Sequence, residues 1–206
     1  VVERRLERID RDLAKRKAPD LLREPEILGR CLGVLEASRP LRVETFTADE
    51  ERVLRGFTFL SLKPMLVVLN VGEEDLAGDP FADAAWQEWG ARPGIALTWV
   101  CATLEGELGE LEGEDAAAFM ADLGLEERAL DRVIRDSYRL LGLISFFTVG
   151  DDECRAWSIR SGTPAVEAGG VIHSDIQRGF IRAEVVPYEE LIDAGSLATC
   201  RQRGTL

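Results

Sequence analysis

The chain has 206 residues, 46% of them hydrophobic and 31% charged, and a formal net charge of −13. It is long enough for one large domain or two small ones, and its acidity excludes indiscriminate nucleic-acid binding while leaving room for a local basic face. Four scattered cysteines (Cys31, Cys101, Cys154, Cys200) with no CxxC pair suggest no zinc site or disulfide framework and fit a reducing cytosol.

Val2, Leu6, Ile9 and Leu13 follow the four-three-four seam of a coiled-coil helix. Seven basic residues (Arg4, Arg5, Arg8, Arg11, Lys15, Arg16, Lys17) face five acidic ones within the first twenty positions, so this segment is net basic. Such a run suits a solvated helix face or contacts to phosphates. Ala18-Pro19-Asp20 breaks the helix. Leu28, Cys31, Leu32 and Leu35 mark a second helix, with Pro25 near its start. Together they predict an antiparallel helical hairpin that projects from the body and packs mainly on itself. Thr47-Ala-Asp-Glu50 is a capping box before a short helix.

Met65 to Leu69 is a short continuous apolar run, which predicts a strand buried on both faces. Asn70-Val71-Gly72-Glu73 is a polar turn at its carboxyl end, the end where open α/β sheets bind ligands. On their own these residues read more readily as an ordinary strand and turn. A loop over Asp75 to Ala82 and a short helix over Phe81 to Trp89 follow. Ile95 to Cys101 predicts another strand, with a helix starting at once through Leu104, Leu108 and Leu111. Two such strand-to-helix transitions give the rhythm of a parallel sheet. Further helices are expected at 114–123 and 126–143, the last burying Leu130, Val133, Ile134, Tyr138 and Leu141.

From Leu143 the pattern changes. Ile144 to Val149 and Cys154 to Ile159 predict a hairpin through an Asp151-Asp152 turn. Thr163 and Pro164 predict a helix start that stops at Gly169-Gly170. Phe180 to Val186 reads as a strand and Pro187 to Leu191 as the opening of a short helix. This region reads as a small second domain of β-grasp type.

Ala156-Trp157-Ser158-Ile159, Gly169-Gly170-Val171-Ile172-His173-Ser174-Asp175 and Arg178-Gly179-Phe180-Ile181-Arg182-Ala183-Glu184-Val185 closely resemble the TGS domain of the YchF / Obg-like ATPase family. The resemblance extends, in the same order, to Arg135–Gly150, to the helical hairpin and to the strand at Met65. It implies an α/β fold: the later part of a P-loop NTPase (a G domain) with a helical hairpin insertion at 1–56. The remainder of the G domain is then expected at 57–142, and a TGS domain, incomplete at its C-terminus, at 143–206. No GxxxxGK[ST] run occurs. The P-loop, the switch segments and the Mg2+ ligands are therefore expected upstream of Val1, and no catalytic or metal residue is expected within this chain.

By the family pattern, Asn70-Val71-Gly72-Glu73 occupies the fourth G motif in its Asn-x-x-Glu variant. There Asn70 braces the site, Val71 contacts the base and Glu73 selects it. A Glu in place of Asp is badly placed for the two-pronged guanine contact, which makes adenine more acceptable. Cys101-Ala102 occupies the fifth motif, usually Ser-Ala, where backbone groups face the base. The resemblance implies a cytoplasmic, monomeric, ribosome-associated enzyme hydrolysing ATP, GTP or both with Mg2+. The alternative is a non-catalytic RNA- or ribosome-binding module of hairpin and TGS domain, contacting its partner through Arg4, Arg8, Arg11, Arg178 and Arg182. His173, the lone histidine, is expected to hydrogen-bond within a loop, and the four tryptophans to serve packing.

Overall fold

The computed structural model describes residues 1–13, 23–76, 78–150 and 152–206. The expected break at Ala18-Pro19-Asp20, the basic residues Lys15, Arg16 and Lys17, and Asp151 lie outside them. The chain divides into two compact units, Val1–Leu141 and Gly142–Leu206.

In the first unit, helix α1 (Val2–Leu13) packs against α2 (Arg23–Glu36). Val2 and Ile9 of the seam are buried against Ile27, Leu28, Cys31 and Val34. Val34 takes the inward place expected of Leu35, which is exposed. Arg5 forks the Glu24 carboxylate at 2.6 and 2.9 Å, a two-pronged ion pair across the helices. The hairpin does not pack mainly on itself, as its spacing suggested. Leu41 and Leu54 join the same buried cluster, and Phe46, Phe57, Phe59 and Leu62 close around it. Two apolar seams of a few residues cannot cover each other fully, so the following segment folds over them. Arg30 reinforces the join, donating to Glu50 at 2.6 Å and to the Thr45 carbonyl at 2.9 Å.

Helix α3 (Ala48–Leu54) starts on the expected capping box. Glu50 N–H donates to Thr47 Oγ1 at 3.3 Å, and Thr47 N–H donates to the Glu50 carboxylate at 2.7 Å. Thr47→Ala is expected to lower stability by about 1 kcal/mol, read as a fall in urea midpoint; an unchanged midpoint would discount the cap.

Strands β1 (Met65–Asn70) and β2 (Ile95–Val100) pair in parallel, from Met65 opposite Ile95 to Asn70 opposite Val100. Between them lie a 3-10 turn at Glu73–Asp75 and helix α4 (Ala84–Gly90), whose N-cap Asp83 accepts from Ala85 N–H at 2.7 Å. Strand β1 is not buried on both faces, since Val68 is exposed. Its apolar run is longer than the cover that one neighbouring strand and its helices supply. After β2 come α5 (Ala102–Glu110), α6 (Gly113–Asp122) and α7 (Ala129–Leu140). Helix α7 lies against both strands, rotated from expectation. Leu130, Ile134 and Leu141 are 55%, 48% and 48% exposed, and Tyr138 also faces outward. The inward positions go to Ala129, Val133 and Arg132, because the Arg132 guanidinium stacks on Trp99 of β2 and turns the apolar stripe away.

In the second unit, β3 (Leu143–Val149) and β4 (Cys154–Arg160) form an antiparallel hairpin, with Trp157 Nε1 donating to Thr148 Oγ1 at 2.9 Å. Helix α8 (Ala165–Ile172) packs against β4 and starts one residue later than expected, with Pro164 as its extended N-cap. The helix runs through Gly169-Gly170 instead of stopping there. A Cβ on Gly169 would sit 3.1 Å from Ile176, and one on Gly170 2.7 Å from Gln177. These glycines admit helix α9 (Ser174–Arg178) at close range; they do not end α8. Phe180 to Val186 forms no strand. No described segment pairs with it, and Ile181 and Val185 are 91% and 74% exposed. Propensity alone cannot make a strand without a hydrogen-bonding neighbour. Helices α10 (Tyr188–Ala194) and α11 (Leu197–Arg203) close the chain. The second was not anticipated, though its signals are present: Ser196 caps it at 3.1 Å and Gly204 ends it at φ 73°.

Candidate functional site

The carboxyl ends of β1 and β2 carry the two loops singled out from the sequence. Val71 N–H donates to the Val100 carbonyl at 2.8 Å and continues the parallel ladder one residue past β1. Asn70 ends β1 with its side chain turned across to the second loop, where Oδ1 accepts from Ala102 N–H at 3.1 Å. Ala102 is the first residue of α5, so its N–H is one of the donors a helix start leaves unmet, and Asn70 satisfies it from the neighbouring strand. Asn70, Val71, Cys101 and Ala102 are thus brought together. Glu73 opens the 3-10 turn two residues on and is exposed, whereas Glu74 folds its carboxylate back over Gly72.

Cys101 is the N-cap residue of α5. It is buried and its side chain caps nothing, while its carbonyl accepts from Glu105 N–H at 3.0 Å. Only the backbone of this residue is therefore available at the loop. Beside the loops, Leu69, Val71, Glu74, Asp75, Gly78, Asp79 and Pro80 line a shallow depression, its rim acidic. Among the described residues no group of three or more His, Cys, Asp or Glu side chains could hold a metal ion.

Three residues not singled out from the sequence support the loops. Arg132 of α7 donates to the Trp99 carbonyl at 2.9 Å, and Glu105 of α5 accepts from Ala129 N–H at 2.6 Å. Glu127 pairs with Arg135 at 2.5 and 2.7 Å, which holds its carboxyl below the ordinary carboxylate range. A carboxyl lowered by folding adds stability above its unfolded value near 4.5 and loses it as pH falls through the folded value. Glu127→Gln is accordingly expected to shrink the loss of thermal stability between about pH 5 and pH 3; an unaltered acid limb would remove this pair from the acid response.

The basic candidates belong to separate units. Arg4, Arg8 and Arg11 are exposed along α1, and Arg11 donates to the Glu7 carbonyl at 3.1 Å. In the second unit Arg178 is tied to Asp175 as a local ion pair, and Arg182 is exposed near Glu184. His173 is exposed, and its Nδ1 accepts from Asp175 N–H at 3.1 Å, capping α9. No helix among the described residues is long and apolar enough to cross a membrane.

Comparison with known proteins adds four findings. The family model YchF-GTPase_C, described as a protein of unknown function (DUF933), matches residues 143–206. A protein of Bacillus subtilis (strain 168) named ribosome-binding ATPase YchF is 41% identical over 206 residues, covering 98% of this chain and 56% of the relative. Its namesake in Escherichia coli O157:H7 is 40% identical over 190 residues, covering 92% of this chain and 52% of the relative. The solved structure of the Schizosaccharomyces pombe YchF GTPase superposes with a TM-score of 0.80 at 27% identity, covering 99% of this chain and 56% of that one. The chain therefore spans about half the length of the relatives it matches. The fold class is that of the C-terminal part of a P-loop GTPase with a TGS-like domain.

Proposed function

This chain belongs to the YchF family, and from that premise we propose that it is the base-reading and TGS-bearing part of a ribosome-associated enzyme that hydrolyses ATP, GTP or both. The observation that carries the reading is the Asn70–Ala102 hydrogen bond, which draws two strand-end loops together at the edge where parallel sheets take their ligands. In this proposal Asn70 braces the pair of loops, Val71 lies against the base and the Cys101-Ala102 backbone faces it. Glu73 accepts from base amino groups, which adenine presents where guanine has a carbonyl. Magnesium accompanies the phosphates and is held by residues other than the base loops; the work of this chain is on the base.

The domain division proposed is a hairpin at 1–56, G-domain remainder at 57–142 and TGS domain at 143–206. The protein works in the cytoplasm, where ribosomes are, as a monomer. The relatives' names cite both ATPase and GTPase, so the deciding experiment is calorimetric titration of the full-length protein with ATP and with GTP. Tighter binding of ATP supports the role of Glu73, and clear guanine selectivity overturns it. Hydrolysis of neither nucleotide above background would sink the enzyme reading.

A second reading, a module that binds ribosomal RNA or protein without catalysis, draws on the exposed arginines of α1. Charge reversal of Arg4, Arg8 and Arg11 together is expected to reduce ribosome co-sedimentation severalfold at low salt and less at high salt. Equal co-sedimentation of the variant would remove α1 from the interface.

A further inference from the structure

The Cys101-Ala102 loop is held from both sides by helix α7. In β2 the Val100 carbonyl faces β1, where it accepts from Val71 N–H. Successive carbonyls of a strand point to opposite edges, so that of Trp99 faces outward. Arg132 meets it there at 2.9 Å and lays its guanidinium 3.8 Å from the centroid of the Trp99 ring. Glu127 Oε1 lies 3.9 Å from Arg132 Nη1, a long ion pair. On the far side of the loop, Glu105 stands in the first turn of α5. It accepts from Ala129 N–H, the first residue of α7, at 2.6 Å, and lies 3.6 Å from Arg128. One helix start is thus fastened both before residue 101 and after residue 102, and the Ala102 N–H between these anchors is the one that Asn70 accepts.

We propose that Arg132 and Glu105 are positioning residues for base selection. Acting through Trp99 and the first turn of α5, they keep the Cys101-Ala102 backbone in register with Asn70, and so set the preference between adenine and guanine. The inference rests on the base-reading function proposed above. Neither residue touches the base. Their part is to hold the loop within the roughly 0.5 Å that discrimination by hydrogen bonds requires. Arg132 Nε is buried without an acceptor, a cost that an apolar side chain at this position would avoid. An arginine serving packing alone would carry that cost for nothing.

The test uses Arg132→Met, which removes the anchor, and Arg132→Lys, which can still donate to the Trp99 carbonyl and sit over the ring. The first readout is hydrogen exchange at the Ala102 amide in the full-length protein. The second is the ratio of dissociation constants for non-hydrolysable ATP and GTP analogues in the full-length protein. Arg132→Met is expected to speed Ala102 exchange about fivefold and to compress the ratio by a similar factor, with Lys restoring both. Unchanged exchange, or faster exchange with an unchanged ratio, overturns the inference. If Asn70→Ala also leaves the ratio unchanged, the base-reading proposal itself has failed; if Asn70→Ala alters it, only the role of Arg132 has. Should Arg132→Met fail to fold, Glu105→Ala carries the same two readouts with the same outcomes.

Discussion

Converting Val71 to Lys and Glu73 to Asp together is expected to move base preference from adenine toward guanine by about tenfold or more. Glu73 begins the 3-10 turn Glu73–Asp75 and is exposed, so shortening its side chain disturbs no buried contact. Asp withdraws the carboxylate by one methylene, to where two oxygens can meet the two N–H groups of guanine's edge. The Lys stem supplies the apolar cover over the base that a valine is too short to provide. Val71 keeps its backbone donation to the Val100 carbonyl whatever its side chain, so the β1–β2 ladder survives the change. Calorimetry of the full-length double variant with ATP and GTP reads the shift. The same preference before and after would show that these two side chains do not read the base.

Leu28→Ala is expected to destabilise the first unit by about 2–5 kcal/mol. Leu28 is 0% exposed and sits in one cluster with Ile9, Cys31, Leu41 and Leu54, from α1, α2, α3 and the segment between them. The cavity left by truncation therefore opens onto the connector as well as onto the partner helix. Urea denaturation followed by circular dichroism measures the loss. A cost under about 1 kcal/mol would mean that the site collapses to fill the gap, and that the hairpin is not part of a shared core.

The two strand-end loops were legible because their causes are local. A continuous apolar run ending in Asn-Val-Gly-Glu already states a strand and a polar turn, and Cys101-Ala102 followed by Leu104 and Leu108 states a strand end and a helix start. Their support was not legible. Arg128 is the N-cap of, and Arg132 stands on, a helix whose leucines draw attention to its other side. Nothing in the spacing says that a guanidinium stacked on Trp99 would win the inward face from Leu130 and Ile134. Gly169-Gly170 misled for a related reason. Glycine marks both helix ends and close helix contacts, and only the approach of Ile176 and Gln177 tells which.

By itself the sequence determined the elements whose causes lie within a few residues: the Thr47–Glu50 capping box, the strands at Met65 and Ile95 and the β3–β4 hairpin. Tertiary structure alone decided which faces turn inward and which segments find partners. It placed Asn70 on Ala102 across two strands, set Arg132 against Trp99, drew Leu41 and Leu54 into the hairpin core and left Phe180 to Val186 unpaired. Burial and strand pairing depend on neighbours far away along the chain, and short-range periodicity carries no record of them.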